Sequence, residues 1–235
     1  MPAGMLFRYR LRFVIGLLAV VLTVASSQAQ ATFSNNNPIT LPFFGQANTY
    51  PSNITVSGYT GTITGITVTL TGLTHAWTDD LAVLFVGPAG RNTLLFNGAG
   101  ADLDPGTQAP NVNLTFDDTA LTTLPQDDDF GSGDYKPGLD QYNTDSLSAP
   151  APPRSSYSFN FSPFLGQTPD GTYSLYIEDF LEETVSVGDG SLAGWSITMH
   201  GITPVPEPAA LLVAPALVLA ARGLRRRWRA TTSAC

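Results

Sequence analysis

The sequence predicts an all-β fold, an antiparallel jelly-roll-like β-sandwich, with an N-terminal signal and short hydrophobic C-terminal helices outside it. Three observations carry this. Apolar residues in the middle of the chain alternate with period two, helical spacing is almost absent there, and short apolar stretches are punctuated by Gly, Pro, Asn and Asp. Ile66, Val68 and Leu70 alternate with Thr67, Thr69 and Thr71, the pattern of a half-buried strand with a threonine-rich outer face. Leu81 to Val86 is apolar throughout, as in a central strand covered on both sides. Gly87 to Asn92 has turn composition and leads into a strand at Thr93 to Phe96. Further strands are expected at Ile54–Ser57, Val112–Phe116, Tyr157–Phe161, Thr172–Glu178 and Trp195–His200. Tyr173, Leu175 and Ile177 should face inward together with Trp195, Ile197 and Met199. The stretch Pro125 to Pro153, rich in Asp, Gly, Pro and Ser, is expected as a long surface loop.

The two ends read as addresses rather than as structure. Arg8, Arg10 and Arg12 precede the apolar run Phe13 to Val24, and small residues follow it, the layout of a secretory signal peptide over residues 1–31. Ala29-Gln30-Ala31 fits cleavage after Ala31, and Ser27-Gln28-Ala29 fits cleavage after Ala29. At the other end, residues 204–230 carry Val205-Pro206-Glu207-Pro208, an apolar segment at 209–221 interrupted by Pro215, and a basic tail at 222–229. As a helix that segment spans roughly 20 Å, short against a bilayer core about 30 Å thick. Its arginines place the tail on the cytoplasmic side. The prolines hold the backbone extended and present Glu207 on an accessible handle.

Charge bounds the function classes. The chain has a net charge of −8, but most of its basic residues lie in the two ends. Between them only Arg91, Lys136 and Arg154 offset eighteen acidic residues. So acidic a body repels nucleic acid and anionic lipid and attracts divalent cations, and membrane contact is left to the terminal segments. The single cysteine, Cys235, lies in the C-terminal tail, so the central domain, residues 32–203, holds no disulfide.

The tail resembles the PEP-CTERM sorting signal of exported proteins of Gram-negative bacteria: Pro206-Glu207-Pro208, a hydrophobic segment and an Arg cluster occur in that order. The resemblance implies export through the Sec translocon and signal peptidase, transient residence in the inner membrane, and recognition by an exosortase. Delivery to the cell surface or the exopolysaccharide matrix would follow. The body resembles the P/Homo B domain that accompanies kexin-like and other subtilisin-type serine proteases. His75-Ala76-Trp77-Thr78-Asp79-Asp80-Leu81, running on through Leu84 to Pro88 and Gly90, resembles that module's H-x-x-x-x-D-L-x-x-x-L-x-x-P-x-G element. Asp170 to Asp179 is similar to its N-G-x-W-x-L-x-V-x-D strand, with Asp170 and Tyr173 in place of the commoner Asn and Trp. Gly190 to Met199 resembles its closing G-x-L-x-x-W-x-L-x-I strand. The resemblance covers most of residues 33–203 and implies a jelly-roll sandwich.

Proteolysis in that family belongs to a separate subtilisin-like domain, and no enzyme activity is expected here. Nucleophilic hydrolysis needs a base beside a nucleophile, yet His75 and His200 are the only histidines and neither accompanies a Gly-x-Ser-x-Gly elbow. His75 is expected to make a structural hydrogen bond. The chemistry that remains lies in acidic loops: Asp79, Asp80, Glu178 and Asp179 are candidate Ca2+ ligands if the sandwich brings them to one end, the alternative being a solvated acidic surface. Trp77 is the candidate platform for a sugar ring, with packing as the alternative. The expected role is structural or adhesive, at the cell surface or in exopolysaccharide. The alternatives are a calcium-dependent or carbohydrate-binding module, or an accessory domain acting with a serine protease.

Overall fold

Residues 29–100, 109–142, 146–181 and 190–206 are described by the computed structural model. The expected signal-peptide and C-terminal helices lie outside these residues, except that Ala29 to Ala31 and Val205-Pro206 are included. Among the described residues there is no α-helix, and none long and apolar enough to cross a membrane. Two sheets pack face to face as a sandwich.

The first sheet is built on β5 (Tyr59–His75) and β13 (Gly194–Pro204), which pair antiparallel with Trp195 opposite Leu70 and Ile197 opposite Val68. β1 (Gln30–Asn35) pairs with β13 and forms one edge. β8 (Ala109–Phe116) pairs with the other side of β5, and β9 (Gly133–Tyr135) runs parallel to β8. β12 (Gly190–Leu192) and β2 (Ile39–Leu41) extend this sheet from the C-terminal end of β5. In the second sheet β6 (Leu81–Val86) lies between β7 (Asn92–Asn97) and β11 (Gly171–Asp179). The short β10 (Leu139–Asp140) runs parallel to β7. β3 (Gly45–Gln46) and β4 (Ser52–Val56) pair with successive stretches of β11.

Strand alternation explains the core. Odd positions of β11 and β13, namely Tyr173, Leu175, Ile177, Trp195, Ile197 and Met199, are all buried, as the sequence predicts. Phe85 sits among them, stacked on Tyr173 at 5.9 Å and edge-on to Trp195 at 6.2 Å. The Trp195 indole donates across the sandwich to Ser52 Oγ at 2.9 Å, so its polar atom is satisfied where it is buried. The continuous apolar run of β6 is explained by two clusters. Leu81, Val83 and Phe85 enter the core between the sheets, while Ala82, Leu84 and Val86 face a second cluster with Leu94, Leu147, Tyr157 and Tyr176.

The structure corrects three expectations of detail. Tyr157–Phe161 is not a strand: it is irregular chain between two single 3-10 turns, Arg154–Ser156 and Ser162–Phe164. Its amides go to the turn and to side chains rather than to a ladder, Tyr157 to the Arg154 carbonyl, Ser158 to Asn92 and Phe161 to Asp118. Pro125–Pro153 is not wholly loop, because β9 and β10 lie in it. Both pair parallel to their neighbours, so the sheets are not purely antiparallel.

Candidate functional site

The acidic residues singled out by sequence converge on one end of the sandwich. β5 ends at His75, Thr78–Asp80 forms one 3-10 turn, and β6 starts at Leu81 directly opposite Asp179 at the end of β11. The Phe180 amide donates to the Asp80 carbonyl at 3.0 Å, tying the two chain segments together. Asp79, Asp80 and Asp179 are each about 3% exposed. Asp179 Oδ2 lies 3.3 Å from His75 Nε2, and His75 Nδ1 lies 2.8 Å from the Trp77 carbonyl oxygen. His75 is therefore engaged at both nitrogens and clamps the end of one sheet to the end of the other. This is the structural hydrogen bonding expected of it.

Glu178 departs from this group. Adjacent strand residues point to opposite faces, so Glu178 turns outward from the core while Asp179 turns in. There Glu178 accepts from the Ser148 amide at 2.7 Å, the Ser148 hydroxyl at 2.6 Å and the Tyr50 hydroxyl at 3.2 Å. Burial, followed by the Glu178 charge, pushes the Tyr50 hydroxyl well above its ordinary pKa. The four proposed calcium ligands thus do not form one set. Among the described residues no group of three or more His, Cys, Asp or Glu is placed to hold a metal ion. Trp77 is 9% exposed and packed, leaving little ring surface for a sugar, and its indole N–H has no hydrogen-bond partner among the described residues. Of the tail motif, Val205 and Pro206 are exposed, with the Val205 amide bonded to the Gly58 carbonyl at 2.8 Å; Glu207 and Pro208 lie outside the described residues.

A second polar constellation, on the flank of the first sheet, is built on the Asp117-Asp118 pair. The Asp117-Asp118 turn follows β8. Asp117 Oδ1 accepts from the Thr119 amide at 2.7 Å and hydroxyl at 2.8 Å, and both Asp118 oxygens accept the Phe161 amide, at 3.0 and 3.1 Å. Burial raises the Asp118 carboxyl above the ordinary carboxylate range, and the Phe161 amide partly opposes it. Between this turn, β5 and His200 lies a cleft of about 270 Å³. The Asp-Asp pair was visible in the sequence; its pairing with Phe161, far along the chain, had no local signal.

No family model matches the chain, and no curated protein matches it. Among solved structures, the chain is similar to the serine protease of Aeromonas sobria, alone and in complex with a chaperone. In both cases identity is 15%, the TM-score is 0.34, and the match covers 74% of this chain but 27% of that one. The chain therefore spans about a quarter of the length of the protease it resembles, and a likeness this distant assigns neither activity nor partner.

Proposed function

We propose that this chain is an exported, non-catalytic protein of the cell surface or exopolysaccharide matrix, with a P/Homo B-like jelly-roll body and a C-terminal tail processed by an exosortase. The observation that carries this reading is the order of the tail: Pro206-Glu207-Pro208, the apolar segment 209–221 and the arginines of 222–229 follow directly on the last strand of the sandwich. β13 ends at Pro204, and the Val205 amide makes the final tie to the body, so a cut after that point removes no described strand. At the other end β1 begins at Gln30, opposite His200, which favours cleavage after Ala29 over Ala31 because it keeps the whole strand.

The non-catalytic part of the reading draws support from His75, which is buried and engaged at both nitrogens and so offers no base to a substrate. The protease activity named for the Aeromonas chain is not carried over. The test is intact mass and fractionation of the protein from a producing cell with an exosortase. Loss of both ends and recovery in the surface fraction is expected, and alanines at Pro206, Glu207 and Pro208 should hold the unprocessed chain in the membrane. Full-length chain at the surface in both cases would refute the reading. A calcium-dependent role is the weaker alternative, because Glu178 and Asp179 are committed to different partners on different faces. Chelator is expected to leave the melting temperature unchanged, and a clear fall would restore the metal.

A further inference from the structure

We propose that the cleft beside β5 binds one uncharged, hydroxylated ring of a polysaccharide, and that the chain leaving it lies along the threonine-paved outer face of the first sheet. This rests on the matrix reading above and names its ligand. The cleft exists because β5 loses its neighbour. Registered pairing with β8 ends at Val68 opposite Phe116, and on the far side Ile63 is bridged to Gly166 and Gln167. Residues 64–67 border the gap between.

The lining is two-sided. Leu165, which is exposed, gives it an apolar edge above the buried Ile66 and Phe161, while Thr64, Thr67 and Thr119 contribute hydroxyls. Asp117, Asp118 and His200 complete the polar side. A sugar ring has the same division, with C–H faces and a rim of groups that both donate and accept. The carboxylates are held in place by the Thr119 and Phe161 amides, so they are fixed acceptors with lone pairs remaining for hydroxyl donors. Typical pockets for drug-sized ligands run from about 300 Å³ upward; at about 270 Å³ this one suits a single ring.

Thr67 and His200 belong to both the cleft and the sheet face. Beyond them, Thr67 is registered with Thr198 and Thr198 with Thr32; the next row runs from Thr115 through Thr69 and Ser196 to Ser34. Hydroxyls already pair across strands, Thr32 with Thr198 at 2.9 Å and Thr69 with Thr115 at 3.2 Å. These two rows carry no charge, in a body otherwise strongly acidic, which favours a neutral polymer over an anionic one. Rows repeat about every 6.7 Å along the strands and neighbours about every 4.8 Å across them. Sheet twist of roughly 20–25° per strand spoils the match to a rigid crystalline surface and leaves a flexible chain running along the strands.

The test is native electrophoresis of the protein, produced from the full-length chain and recovered in its exported form, through gels containing dextran, xylan, glucomannan, chitosan or alginate. At least one of the three neutral polymers should retard it and alginate should not. Asp117→Asn, which keeps the turn cap, and Thr67→Val, which keeps the β-branched shape, should each weaken retention at least fivefold without lowering the melting temperature. Thr55→Val, on the other sheet, should not weaken it. Absence of retardation by every neutral polymer, equal retardation by alginate, preference for the cationic chitosan, or retention untouched by both cleft variants overturns the proposal. Surface fractionation of the same protein decides the matrix reading separately, since a protein found at the surface but retarded by no gel loses only the cleft.

Discussion

The outer faces of the two sheets are built on the same strand geometry and have opposite fates. On the first sheet, Thr32, Ser34, Thr67, Thr69, Thr115, Ser196 and Thr198 are exposed or half-buried. On the second, Ala82, Leu84, Val86, Leu94 and Tyr176 are buried under Leu147 and Tyr157, with Tyr50, Ala151 and Phe180 packed around them. The segment carrying Leu147 and Tyr157 makes the difference, and it is pinned by polar contacts as well as by packing: Glu178 takes both Ser148 donors, and Arg154 pairs with Asp140. The sandwich therefore carries a third layer on one side and a bare face on the other. An apolar face needs a cover, whereas a threonine face satisfies itself and stays open to a ligand.

The sharpest way to break this contrast is to hollow out the covered face. Leu84 is fully buried and belongs to the second cluster rather than the inter-sheet core. Leu84→Ala should cost about 2–5 kcal/mol, read from the shift in urea midpoint. A loss under 1 kcal/mol would mean that the covering segment is not packed there.

Removing the polar pin should cost less. Glu178→Ala deletes three charge-assisted hydrogen bonds but leaves Ser148 close enough to solvent to rehydrate, so the expected loss is about 1.5–3 kcal/mol. Protease accessibility of the segment around Ser148 should rise with it. If stability fell while cleavage there stayed unchanged, Glu178 would be supporting β11 rather than the cover.

Alkali offers a gentler probe of the same side. Burial raises the hydroxyls of Tyr50, Tyr157 and Tyr176, all of them in or around the covered cluster. An unfolded tyrosine ionises near 10 (about the ordinary value), so above that pH the folded state holds more protons than the unfolded one. Stability is then intact below about pH 10 and falls as pH rises toward the folded values. Spectrophotometric titration should show a late group of tyrosines whose ionisation coincides with unfolding. If every tyrosine titrated together near 10 with no loss of fold, the covering would be looser than its packing implies.

Which parts of this were legible beforehand follows from the range of the interactions. β6 was read residue for residue and the inward set of β11 and β13 correctly, because binary patterning reports burial locally. β1, β2 and β3 were missed: each is short or polar, and each takes its ladder from a strand far along the chain, β13, β12 and β11 in turn. Tyr157–Phe161 was misread because its aromatic alternation serves packing, with Tyr157 on the outer cluster and Phe161 in the core. At the candidate site, sequence brought Asp79, Asp80 and Asp179 to one end but joined Glu178 to them. Period-two alternation alone could have separated Glu178 from Asp179. The bonds from Ser148 to Glu178 and from Phe161 to Asp118 are long-range contacts that no local pattern announces.

The smallest effect is expected on the bare face, and it is the one that sharpens the contrast most. Thr69→Val removes a hydroxyl paired with Thr115 at 3.2 Å but keeps a β-branched side chain in a strand that favours it. Thr69 is half-buried by its neighbours on the sheet, so solvent replaces the lost partner and no buried group is stranded. The change in stability should stay within about 0.5 kcal/mol, an order of magnitude below the largest loss expected for Leu84→Ala. A loss above about 1.5 kcal/mol would exceed an exposed hydrogen bond and would mean that this face is covered, which would remove the surface on which the proposed polysaccharide lies.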